Sequence, residues 1–130
     1  MGPDHPDFAA YLYWLHFANG SLQPAMGRNM ILRRLNLDDT NPVLQAMRGR
    51  LERTLGLIEA RFGEVVYLAG GEFTAADIMT VFSLTTMRFF IPVDLSPYPN
   101  ILAYLQRMAA RPAYQRAMAK GDPGMELLLT

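Results

Sequence analysis

Apolar residues along this chain recur at three- and four-residue intervals, and no segment alternates at period two. Residues 6–20 read as a first helix, with Asp4 or Asp7 near its start and Pro6 in a first turn that tolerates it. Phe8, Tyr11, Leu12, Leu15 and Ala18 share one side of it, while Tyr13, Trp14 and Phe17 crowd the others. A helix that is apolar nearly all round is enclosed by neighbours on several sides. The pattern resumes over 22–35, after a bend or break near Gly20 to Pro24.

The connector 36–41 is polar and ends in Thr40-Asn41-Pro42, so either polar residue caps the next helix with Pro42 in its first turn. In that helix Leu44, Met47, Leu51, Leu55, Ile58 and Phe62 form one stripe, charges fill the other faces, and Gly63 stands where a C-cap glycine belongs. The run 65–68 is too short and isolated to make a sheet. Phe73-Thr74-Ala75-Ala76-Asp77-Ile78 follows. Thr74 and Asp77 have the spacing of a capping box, Asp replacing the usual Glu, and Phe73 and Ile78 have that of a hydrophobic staple. The helix they open reads as the central buried one, running to about Ile91 before Pro92 ends it. Tyr98-Pro99 opens another amphipathic helix, Arg111-Pro112 starts a last short one, and Gly121-Asp122-Pro123-Gly124 begins a tail. The expectation is an all-α bundle of five to six helices, one domain over 5–120, and a C-terminal tail over 121–130.

Length allows one domain without staples, and there is no cysteine to make a disulfide, a thiolate metal site or a thiol nucleophile. Net charge is zero without a basic run, which argues against nucleic acid. The apolar stretches are too interrupted to span a membrane, and the N-terminus lacks a signal peptide's features, so a cytoplasmic location is expected. No metal-ligand cluster, phosphate loop or hydrolase motif occurs, and no catalytic residue is assigned. Charged residues make up 18% of the chain, against about 25% in typical domains. Something else is expected to cover part of its surface.

The order of local signals is more specific than the bundle itself. Tyr11-Leu12-Tyr13-Trp14-Leu15-His16-Phe17 leads into Gly20-Ser21-Leu22-Gln23-Pro24. Later come Leu68-Ala69-Gly70-Gly71-Glu72-Phe73-Thr74-Ala75-Ala76-Asp77, then Tyr98-Pro99-Asn100-Ile101 and Arg111-Pro112-Ala113-Tyr114. Over about 7–120 this resembles the C-terminal domain of soluble glutathione transferases of bacterial and fungal type. The resemblance implies a GST C-terminal-like helical bundle whose parent protein conjugates glutathione, as co-substrate, to a small hydrophobic electrophile. It implies as partners a preceding thioredoxin-like domain and a second copy in a homodimer. Nothing here corresponds to the glutathione-binding half, so the chain reads as part of a longer protein, inactive and binding no cofactor alone.

By family position His16 resembles a residue reaching across the dimer toward the neighbour's glutathione, and Gln23 falls near the electrophile. Tyr13, Gly20 and Gly27, at helical spacing with these, and Thr86, Phe89 and Phe90, at the end of the buried helix, complete the expected substrate-binding set. Ordinary core packing explains an aromatic stripe equally well. Thr74 and Asp77 read as a structural cap rather than a catalytic pair, so replacing either by Ala is expected to cost about 1–2 kcal/mol. A rival from another class is a non-catalytic protein-interaction or dimerisation module, a use made of this same domain beside translation factors and aminoacyl-tRNA synthetases.

Overall fold

Six α-helices follow one another in the computed structural model, which describes residues 1–130. They are α1 (Phe8–Phe17), α2 (Gln23–Arg34), α3 (Pro42–Glu64), α4 (Ala75–Leu84), α5 (Pro99–Ala109) and α6 (Pro112–Gly121), with no strand. Helices α1 and α2 form one rod, joined by a π-helical turn over Ala18–Leu22. The sequence suggested a bend or break here. Pro24 has no amide to donate to the Gly20 carbonyl, and a widened turn absorbs that mismatch without ending the rod.

The rod packs through α1 and the π turn on α4, and through α2 on α3; α3 in turn packs on α5, and α5 on α4 and α6. Buried between them is one core containing Trp14, Leu22, Met26, Ile58, Leu84, Ile101 and Leu105. Phe62 of α3 and Tyr104 of α5 stack at its centre, ring centroids 3.9 Å apart and 18° from parallel. Such a pair adds about 0.5–1.5 kcal/mol to area burial.

Asn41, not Thr40, caps α3, its side chain accepting from the amides of Val43 and Leu44 at 3.0 and 3.3 Å. Thr40 is engaged with Asp38 instead. Helix α3 also runs one residue past Gly63, to Glu64. Gly63 serves a different purpose there: an added Cβ would stand 3.2 Å from the Asn100 side chain. The same α3 face caps α5 from outside. Glu59 takes the amides of Asn100 and Ile101, one on each carboxylate oxygen, both at 2.9 Å. Tyr98, the residue at the α5 cap position, supplies no side-chain bond.

Helix α4 stops at Leu84 rather than continuing to Ile91. Thr85 leaves helical geometry (φ −125°, ψ −92°) with its hydroxyl donating back to the Val81 carbonyl at 2.6 Å. A short 3₁₀ turn, Thr86–Phe89, follows. The helix is also not enclosed all round, since Ile78 and Phe82 are about half exposed. The C-terminal segment is tied down: Arg88 and Gln106 donate to the carbonyls of Thr130 and Leu129 at 2.8 and 3.3 Å.

Candidate functional site

Asp77 is the polar centre of the molecule. The Thr74 amide donates to its Oδ2 at 2.9 Å, and the Thr74 hydroxyl to the same oxygen at 3.2 Å, within a reciprocal box between the two residues. Its other oxygen accepts from the Leu68 amide at 3.0 Å and from the Tyr104 hydroxyl at 3.3 Å. One carboxylate therefore joins the 65–73 loop, the α4 N-terminus and α5, and it is wholly buried. Burial, then the neighbouring Asp77 charge, pushes the Tyr104 hydroxyl well above the ordinary tyrosine range. That keeps it a neutral donor.

Around this junction the loop is held by bonds the sequence pattern did not reveal. Arg61 donates to the carbonyls of Leu68 and Ala69 at 3.0 and 3.2 Å, tying the loop to α3. Gly70 sits at φ +154°, and a Cβ there would lie 2.7 Å from the Asp7 carboxylate. Phe73 and Ile78, the staple pair, both line one small cavity, with the Arg111 guanidinium 3.9 Å above the Phe73 ring.

The residues expected to bind substrate divide into three groups. Tyr13, His16 and Gly20 are exposed on the rod, Tyr13 by 55%, with its ring 5.1 Å from Trp14 and 5.8 Å from Phe17. Gly20 lies inside the π turn, facing open space. Gln23 and Gly27 are half-buried, and Gln23 donates to the Ser83 hydroxyl on α4 at 3.3 Å. Thr86 is buried beneath the end of α4, whereas Phe89 and Phe90 are exposed, Phe90 by 70%. None of these eight lines any of the four main cavities. Within this chain they lie on three stretches, α1 with its π turn, the start of α2, and the 3₁₀ turn after α4.

The hollows lie elsewhere. One of about 460 Å³ opens between α2, α3 and the connection 93–98, and one of about 200 Å³ between α4, α5 and α6. The second is almost wholly apolar, and the buried Tyr114 hydroxyl beside it has no partner. Sequence reasoning missed both, because each is assembled from residues distant along the chain. No group of three or more His, Cys, Asp or Glu gathers to hold a metal, and no helix is long and apolar enough to cross a membrane.

Comparison with known proteins adds the following. Residues 22–112 match the family model described as the glutathione S-transferase C-terminal domain. Glutathione S-transferase 1 of Manduca sexta is 29% identical over 140 residues, covering 92% of this chain and 64% of that protein. A glutathione S-transferase from Actinobacillus pleuropneumoniae superposes with a TM-score of 0.80 at 23% identity, over 97% of this chain and 56% of its own. BphK, a bacterial GST solved as a ternary complex, does so with a TM-score of 0.68 at 26% identity, over 90% of this chain and 56% of its own. The chain thus spans between about half and two-thirds of the length of these proteins.

Proposed function

The chain belongs to the glutathione S-transferase C-terminal domain family, and from that premise we propose that it is the electrophile-binding and dimer-forming half of a glutathione transferase. A thioredoxin-like domain of the same protein would bind glutathione, lower its thiol pKa and place the thiolate beside an electrophile held against this domain. The work asked of these residues is positioning and apolar binding. The observation carrying this reading is that large aromatic rings stand in solvent on two stretches, Tyr13 on the helix leading into a widened turn that holds Gly20, and Phe89 and Phe90 after α4. Such π turns recur at functional sites. The missing wall of that pocket would be the glutathione-binding domain, and its contact would also cover the half-exposed Ile78 and Phe82 of α4. His16, exposed and unbonded within the chain, would meet the second subunit.

The test is a chimera that joins this chain behind the thioredoxin-like half of the Manduca sexta relative. Conjugation of glutathione to 1-chloro-2,4-dinitrobenzene is expected from the chimera and absent from the chain alone. Tyr13→Ala and Phe90→Ala should raise KM for the aryl halide severalfold and leave KM for glutathione nearly unchanged. Turnover by the isolated chain would refute the proposal. So would a folded, glutathione-binding chimera that conjugates nothing, which would leave the interaction-module reading.

A further inference from the structure

The hollow between α2 and α3 has a composition that the reading above does not use. Its floor is apolar: Leu51 and Leu55, on successive turns of α3, face it with the ring of Tyr98 also lining it. Its rim carries four charges, and they are not equally satisfied. Asp94 is spoken for, accepting from the Ser96 amide and hydroxyl at 2.9 Å each, with Arg88 close enough to hold its carboxyl lower still. Arg48 is paired with Asp39 at 2.8 Å. Glu52 is exposed, and its charge, like that of Asp94, is felt by the Tyr98 hydroxyl. Arg33 has no carboxylate within ion-pairing distance, and its one bond goes to the neutral Pro92 carbonyl at 3.2 Å.

A guanidinium offers five N–H donors in a planar fork that matches a carboxylate. Here four remain uncommitted, beside an apolar floor in a space of about 460 Å³. Small-molecule sites fall in the range of about 300–1,000 Å³ and combine apolar walls with a few placed polar groups. We propose that this hollow is a binding site for a flat aromatic carboxylate, its ring laid on Leu51, Leu55 and Tyr98 and its anion held by Arg33. It shares no residue with the Tyr13–Phe90 surface and does not depend on the conjugation reading.

Titration of the ¹⁵N-labelled chain with 2-naphthoate tests it. Saturable shifts are expected at amides within 29–33, 44–55 and 93–98. Arg33→Gln should weaken binding at least tenfold, and the neutral 2-naphthamide should bind the wild type at least tenfold more weakly than the acid. Arg34→Gln, on the same helix but outside the hollow, should leave the affinity unchanged. The same spectra verify that each variant is folded. Shifts confined to the Phe82–Phe90 region, unaltered affinity in Arg33→Gln, or no saturable binding would each overturn the assignment.

Discussion

The junction around Asp77 and the exposed aromatic residues Tyr13 and Phe90 are built on opposite terms. At the junction every donor that approaches the carboxylate is satisfied and the carboxylate itself is wholly buried, whereas the Tyr13 and Phe90 rings stand mostly in solvent. Both meet in α4, whose inner side holds Asp77 and Leu84 at full burial while its outer side shows Ile78 and Phe82. The contrast teaches that hydrophobicity alone does not separate core from site in this chain. What separates them in this structure is whether the residue is enclosed by the other helices, as Leu84 is, or left in solvent, as Phe90 is.

The sharpest way to break the comparison is Asp77→Ala. It leaves the buried Leu68 amide and the half-buried Thr74 amide without their acceptor, and the Tyr104 hydroxyl keeps only the residue-77 carbonyl at 3.3 Å. The expected loss is about 3–5 kcal/mol, read from the denaturant midpoint, since unsatisfied buried groups cost about 1–3 kcal/mol each and are not additive. That exceeds the 1–2 kcal/mol expected of a simple cap, because Asp77 also holds the loop and α5. A loss under about 1 kcal/mol would demote the junction to an ordinary helix start.

Next in size is Glu59→Ala, which removes both acceptors at the α5 N-terminus. It should cost about 1–2 kcal/mol, the range for losing an N-cap, and hydrogen exchange at Asn100 and Ile101 should accelerate. Unchanged protection there would mean that water replaces the carboxylate without loss.

Tyr104→Phe keeps the ring stack on Phe62 and deletes one donor, for an expected cost of about 1 kcal/mol. It also sharpens the pH behaviour. The folded hydroxyl titrates well above 10.0, the ordinary value, so the unfolded chain loses this proton first as pH rises. Fewer protons on the unfolded state means that stability declines above about pH 10 and is unaffected by this group below it. The Phe variant should show a shallower alkaline decline; an identical slope would place the effect on other groups, such as Tyr98.

Phe90→Ser is the smallest perturbation in the isolated chain. At 70% exposure it should shift stability by no more than about 0.5 kcal/mol. A loss of several kcal/mol would show that the Phe90 ring belongs to the core and not to a surface awaiting a partner.

Much of the fold was legible because helix formation, capping and termination are local. Asn41-Pro42, Thr74-x-x-Asp77, Tyr98-Pro99 and Arg111-Pro112 each mark a helix start within four residues. Of the α3 stripe, Leu44, Leu55, Ile58 and Phe62 are buried and Met47 and Leu51 half-buried, while buried Thr54 lies outside it. The errors have two causes, one distant and one local. Gly63 was read as a helix stop because a local rule favours it there, but it admits Asn100 from 37 positions away. The stretch 85–91 was read as helix because it is apolar, yet Thr85 turns back onto Val81 and ends α4. For the site, the sequence singled out Tyr13, Gln23 and Phe90 but not the hollows, whose walls come from separate helices.

By itself the sequence determined an all-helical bundle, the helix starts at Asn41-Pro42, Thr74, Tyr98-Pro99 and Arg111-Pro112, and the family to which the chain belongs, because these signals are local in the chain. Only the tertiary structure decided that Asp77 and Tyr104 meet, that Glu59 caps a helix it does not belong to, and that Arg33 is left without an acid. Those facts depend on which faces of the helices come together, and helical periodicity specifies a face without naming its partner.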